Sequence, residues 1–215
     1  MYTKRQIIEQ VFLRLNDGQI DPSSANVKEA DIAPFISEAL RYVLIETARV
    51  RRAEENPMAS YAEFIDRALI TSKTYTLSRT GNVAHFEANN LMVLPKDIGV
   101  FDVFPTSLES NRAFHRMKSR QGDFGLEDAW ASKTRYWLER VDGTGNYKVY
   151  IRNLSKQVEQ VQADVILDFS AYKENEIVPT VDGTGIRVFE MAVKFFEGQN
   201  QEGDMLNDNR QRQIA

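Results

Sequence analysis

His85 and His115 are the only imidazoles in the sequence, so histidine chemistry of any kind rests on them. Neither belongs to an H-E-x-x-H pair, the helical spacing that puts two imidazoles on one zinc ion. A Ser-His-Asp triad needs its members to meet only in space, but no G-x-S-x-G elbow marks a nucleophile. Cysteine is absent, which excludes thiolate zinc sites, cysteine nucleophiles and a disulfide framework. Asp204, Asn207, Asp208 and Asn209 carry oxygen donors. They lack the alternating positions, central glycine and closing glutamate of an EF-hand loop, and read as a solvated tail. No catalytic residue, metal site or cofactor is expected.

The pentapeptide VDGTG occurs at Val141–Gly145 and again at Val181–Gly185. A phosphate-binding P-loop needs G-x-x-x-x-G-K-[ST] between strand and helix, and neither copy has the lysine or the spacing. The first copy lies between RYWLER and NYKVYIR, two strand-like runs. Its glycines suit a hairpin turn, because glycine reaches positive φ freely. The second copy precedes a helical pattern, where Asp182 or Thr184 can act as N-cap. The sequences around the two copies share nothing further, so they are turns with the same residues and not an internal repeat.

Basic residues gather in two places. Arg49, Arg51 and Arg52 close a helical pattern, and Glu54 and Glu55 follow at once, so helix-end electrostatics accounts for them. RAFHRMKSR is the most basic stretch: Arg112, Arg116, Lys118 and Arg120 surround Phe114. It reads as an interface loop, with a nucleic-acid contact as the alternative. Tyr136, Trp137, Tyr147 and Tyr150 flank the expected hairpin; aromatics are common in strands and at interfaces, so they discriminate neither.

The elements that must hold these residues follow from periodicity. Thr3 and Gln6 have capping-box spacing, and Ile8, Val11, Phe12 and Leu15 form one apolar face of a first helix ended by Asn16, Asp17 and Gly18. A second helix is predicted from Asp31 as N-cap, with Pro34 in its first turn, to about Glu54. A third follows Pro57, with Ser60 and Glu63 as a capping pair. From Ile70 the period becomes two. Strands are predicted at Lys73–Leu77, Val83–Phe86, Leu91–Leu94, Val100–Phe104, Arg135–Arg140, Lys148–Leu154 and Ala163–Tyr172. The charged stretch Thr106–Thr134 reads as a long functional loop. A helix over Ile186–Glu197 closes the pattern, followed by the polar tail QEGDMLNDNRQRQIA.

Helices, then antiparallel strands, then a helix argue for an α+β fold, with the N-terminal helices and the C-terminal helix packed with an antiparallel sheet or sandwich block. The expected divisions are 1–70 (helical), 71–180 (β, with the 106–134 loop), 181–198 (C-terminal helix on the N-terminal helices) and 199–215 (tail). With 27 basic and 31 acidic residues among 215, the net charge of −4 is wrong for a general polyanion binder. No signal-peptide h-region opens the chain, and no apolar run approaches the ~20 residues of a membrane span. A soluble protein used without secretion is expected.

Three stretches together resemble the head–tail adaptor, or connector ring, proteins of tailed bacteriophages of the crAss-like and podovirus types. They are TKRQIIEQVFLRLNDGQ with the following DIAPFISEALRYVLIE; NNLMVLPKDIGVFDVF with its LP-x-D-I step; and EMAVKFFEGQNQEGDMLNDNRQRQ with its polar LNDN ending. The resemblance implies a virion structural protein at the head–tail junction, assembled in the host cytoplasm, with no enzymatic role. It implies a homo-oligomeric ring, usually dodecameric, below the portal protein and above tail or further ring proteins. DNA passes its channel without sequence-specific binding. It also implies a C-terminal tail that reaches the portal, making Met205, Leu206, Asn207, Asp208 and Asn209 interface residues beside the arginines and Phe114 named above. The alternatives are another phage tail or ring component, a hydrolase using Asp/Glu and His115, and a nucleic-acid-binding accessory protein.

Overall fold

A computed structural model describes residues 2–15, 29–59, 61–94, 99–106, 113–117, 133–141, 145–181 and 183–212, with backbone alone at 29, 61, 62 and 199–212. The architecture is α+β, and the chain divides into two compact units, Met1–Ala68 with Tyr172–Ala215, and Leu69–Ala171.

The first unit is helical. Helix α1 spans Lys4–Leu15. The capping box forms as spaced: the Gln6 amide donates to Thr3 Oγ1 at 3.2 Å, and the Thr3 amide donates to Gln6 Oε1 at 2.9 Å. Ile7, Ile8 and Val11 face the core. Ahead of the helix, strand β1 (Tyr2–Thr3) pairs antiparallel with β10 (Ile177–Val178), two short strands the sequence did not announce. The Lys4 and Arg5 amides go on to Glu176 and Glu174 carbonyls, so the chain's start is bound to the segment entering the last helix.

Helix α2 spans Glu29–Glu55 and begins earlier than predicted. Asp31 is its third residue rather than its N-cap, and Pro34 lies inside it, past the first turn. Pro34 has no N–H, so one i→i−4 bond, to the Ala30 carbonyl, is forgone. Burial of Ile32, fully inaccessible like Ile36, accounts for the extra turn. The third predicted helix is absent. Two 3-10 turns, Tyr61–Phe64 and Arg67–Leu69, take its place. Between them the Asp66 carboxylate accepts the Ala68 amide at 3.0 Å, a local bond that competes with helix propagation. Ser60 lies outside the described residues.

Helix α3 spans Gly185–Arg212, well past the predicted end at Glu197. An interior glycine such as Gly198 costs only about 1 kcal/mol, and the Gln, Glu, Met, Leu and Arg of the polar stretch beyond it are good helix formers. α3 runs antiparallel to α2: Phe196 meets Phe35 edge-on at 5.4 Å, Phe195 meets Tyr42 at 5.9 Å, and Arg187 pairs with Glu46 at 2.6 Å. Tyr2 lies edge-on against Phe189 at 5.1 Å.

The second unit is β. Strands β2 (Thr71–Thr76), β9 (Gln160–Val165) and β5 (Val100–Pro105) form one sheet in that order. Strands β3 (Ser78–Thr80), β4 (Val83–Ala88), β8 (Tyr147–Arg152), β7 (Arg135–Arg140) and β6 (His115–Arg116) form the other. All pairs are antiparallel except β6–β7, which is parallel and was not foreseen. Only Leu77 separates β2 from β3, so one run of chain passes between the sheets at that edge. At the other edge the Phe114 amide, just before β6, donates to the Val103 carbonyl of β5 at 2.7 Å. The sheets are therefore joined on both sides around one core. Into it point Ala84, Phe86 and Ala88 of β4, Tyr147, Val149 and Ile151 of β8, Val161, Ala163 and Val165 of β9, Val100 and Val103 of β5, and Tyr136 of β7.

Two predicted strands are shorter than expected. Leu91–Leu94 contributes a single bridge, Leu91 to Leu167. The strand read to Tyr172 ends at Val165; beyond it the Asp168 carboxylate accepts the Ser170 amide and hydroxyl, turning the chain into a 3-10 turn at Phe169–Ala171. The 106–134 stretch contributes β6; 107–112 and 118–132 lie outside the described residues.

Of the first VDGTG copy Val141 and Gly145 are described, at the two ends of the β7–β8 connection, and residues 142–144 lie outside the described residues. Val141 donates to the Asn146 carbonyl at 3.0 Å across the β7–β8 hairpin. Gly145 has φ +80°, and its carbonyl accepts the Leu91 amide at 3.0 Å. In the second copy the Thr184 carbonyl accepts the first α3 bond, from Val188, at 3.0 Å. The Thr184 hydroxyl donates back to Val181, and Asp182 lies outside the described residues.

A Cβ at Gly145 would collide with the Leu91 carbonyl, whereas one at Gly81, also left-handed at φ +62°, would meet nothing within 4 Å. Gly81→Ala therefore isolates the backbone strain, about 1–2 kcal/mol. Gly145→Ala should cost at least ~2 kcal/mol more, read as the difference between the two urea midpoints. Equal losses would mean that the Leu91 contact yields without cost.

Candidate interaction surfaces

Of the predicted interface residues, Arg49, Arg51, Arg52, Phe114 and Arg116 have described side chains. Arg49 and Arg51 are exposed near the C-terminus of α2. Arg52 turns back on its own helix end, where its guanidinium donates to the Pro57 carbonyl at 2.6 Å. Helix-end bonding thus accounts for Arg52, while Arg49 and Arg51 stay at the surface.

The middle of the basic run is a structural strap. Phe114 reaches β5 as described, the His115 amide donates to the Thr134 carbonyl at 3.2 Å, and the Met117 amide donates to the Tyr136 carbonyl at 2.8 Å. The Arg116 guanidinium donates to the Val100 carbonyl at 3.3 Å. Phe114 and Arg116 are therefore partly committed to joining the two sheets. Arg112, Lys118 and Arg120 lie outside the described residues. Met205, Leu206, Asn207, Asp208 and Asn209 fall in the last third of α3, where the backbone is helical and the side chains are outside the described set.

Under the strap lies Tyr136, fully buried, with its hydroxyl donating to the Phe101 carbonyl at 3.2 Å. Burial pushes that hydroxyl well above the ordinary tyrosine range; the Arg116 charge works in the opposite direction, and Asp102 adds to the rise. Burial likewise pushes Tyr75, stacked on Phe86 at 4.5 Å, up to about 12.

The two histidines stay apart. His85 is on β4 and His115 on β6, with β8 and β7 between them, roughly 14 Å at sheet spacing. Among the described residues no group of three His, Cys, Asp or Glu is placed to hold a metal ion. No helix among them is long and apolar enough to cross a membrane.

The four aromatic residues around the β7–β8 hairpin are sorted by register. Tyr136 and Tyr147 point into the core, while Trp137 and Tyr150 lie side by side on the opposite face, stacked at 5.2 Å with planes 9° apart. His85 adjoins Tyr150 at 5.9 Å, and Lys148 Nζ stands 5.8 Å from the Tyr150 ring centre. The alternation in RYWLER and YKVYIR carries half of this signal. The pairing that brings His85, Tyr150 and Trp137 into one row comes only with the fold.

The buried hydroxyl has an alkaline consequence. A tyrosine whose folded pKa lies above its unfolded value of 10.0 loses its proton first in the unfolded chain. Stability is whole below pH 10 and falls above it, at up to ~1.4 kcal/mol per pH unit for Tyr136. Urea midpoints should drop from pH 10 upward in the wild type and drop less steeply in Tyr136→Phe. Equal slopes would remove Tyr136 as the cause.

No protein-family model matches the sequence, and no curated protein matches it.

Proposed function

We propose that the chain is a virion structural protein of a tailed bacteriophage, one subunit of the connector ring that joins portal to tail around the DNA channel. The supporting observation is the length of α3, which extends past the described end of α2. From the Phe35–Phe196 contact, α2 continues only to Glu29, whereas α3 continues about 16 residues, roughly 24 Å. Those residues include only Met205 and Leu206 as sizeable apolar side chains. A helix without an apolar stripe gains little from its own core, and its stability comes from pairing with another molecule. In this reading the α3 extension reaches the portal or a neighbouring subunit. A net acidic subunit suits a channel that DNA must slide through, since phosphate attraction requires basic charge.

Two measurements test this. Quantitative mass spectrometry of purified particles should give a copy number close to that of the portal protein; absence from particles sinks the reading. A chain ending at Glu197 should keep the wild-type melting temperature within a few degrees yet fail to enter particles. Normal incorporation of that shortened chain would take the docking role away from the α3 extension.

A further inference from the structure

The two outer strands of the three-stranded sheet differ in how their far sides are treated. Along β5 the Val100 carbonyl accepts from the Arg116 guanidinium, the Phe101 carbonyl from the Tyr136 hydroxyl and the Val103 carbonyl from the Phe114 amide. Groups from the other sheet thus close that edge. At the opposite edge β2 pairs with β9 along its whole length, and among the described residues no strand takes its other side. Near its end Tyr75 stacks on Phe86, where the chain crosses into the other sheet, so Thr71–Thr74 is the open stretch. A strand edge of this kind is a template for pairing with another chain.

The composition of β2 favours such pairing. TSKTYT is made of threonine, serine and tyrosine with no proline or glycine, and Lys73 is its one charge. Register decides where that charge stands. Ser72, Thr74 and Thr76 are exposed on the outer face. Lys73 is on the inner face with Thr71 and Tyr75, directly opposite the fully buried Ala163. Val161 and Val165, opposite Tyr75 and Thr71, are fully buried too. Lys73 itself is half-buried. A lysine so placed lays its aliphatic stem along an apolar row and keeps its ammonium in water past the open edge. A strand added along Thr71–Thr74 would shut that route and leave the charge among apolar side chains, which is strongly unfavourable without a carboxylate to meet it.

We infer that Lys73 keeps the β2 edge from pairing with the β2 edge of a second copy of this chain. Antiparallel pairing about a two-fold axis at Lys73 would also set two ammonium groups opposite each other, adding repulsion to the cost of burial. One edge of the sheet is therefore closed by hydrogen bonds and the other is guarded by a charge. The inference does not depend on the connector reading, whose subunit contacts involve other surfaces.

Sedimentation velocity of the purified chain across the micromolar range, with amide hydrogen exchange followed over β2, tests it. Lys73→Met keeps the stem and removes the charge. It should self-associate at concentrations at least about tenfold below any at which the wild type does, with new protection of amides in Thr71–Thr74. Lys73→Thr, a second uncharged change to a strong strand former, should do the same. Lys73→Glu, which keeps a charge at the position, should sediment like the wild type. Uncharged variants that sediment like the wild type overturn the inference. Association without added protection in β2 overturns it by placing the contact elsewhere. Association of Lys73→Glu equal to that of Lys73→Met also overturns it, because the fit of the lysine to its own sheet, and not its charge, would then be the cause.

Discussion

Gly145 sits where the β7–β8 hairpin meets the Leu91 backbone, with room for a hydrogen atom and nothing larger. Its carbonyl holds the Leu91 amide, and the Asn146 side chain holds the Asn90 amide. The carbonyl of Asn90, itself left-handed at φ 57°, accepts the Asp168 amide, the Met92 amide donates to the Ile166 carbonyl, and the Ile166 amide donates to the Gly99 carbonyl. Chain segments far apart in sequence are thereby fixed to one another beside the core. The hairpin end, the crossing before β5 and the exit from β9 share this junction. Without it the Leu91–Leu167 bridge has no anchor, and the three-stranded sheet loses its tie to the five-stranded one at that end.

Much of this was legible in the sequence wherever the cause was local. The Thr3–Gln6 box, the Arg135–Arg140 strand and the start of α3 after Thr184 all depend on residues within a few positions of each other. The misreadings share a different origin. The third helix was expected after Pro57, yet there the Asp66 carboxylate serves the backbone instead. The stretch after Glu197 looked like a polar tail, yet its backbone continues the helix to Arg212. The parallel β6–β7 pair and the β1–β10 pair are two residues long each, too short for any periodicity to reveal. The aromatic row was half visible: alternation separates Tyr136 from Trp137, but no spacing within one strand predicts that His85, on a strand far earlier in the chain, lies beside Tyr150.

The two units divide the chemistry of the surface between them. The helical unit carries the negative charge and the long α3; the β unit carries the basic strap and the row of rings. The basic strap illustrates how one segment can serve two ends. Its backbone and Arg116 hold the sheets together, which limits how far Phe114 and Arg116 are free to serve a partner.

The pairing of β1 with β10 bears on how the chain folds as it leaves the ribosome. The β unit is continuous in sequence, so it can complete itself once residue 171 has emerged. The helical unit is interrupted: α1 and α2 come first, but Tyr2 and Thr3 wait for Ile177 and Val178, and Phe35 and Tyr42 wait for α3. For most of synthesis the apolar stripes of α1 and α2 therefore have only each other to cover them. At ~5–20 residues per second, the hundred or so residues of the β unit impose a delay of several seconds. In that interval the nascent helices are the aggregation-prone part of the molecule and the natural point of contact for a chaperone.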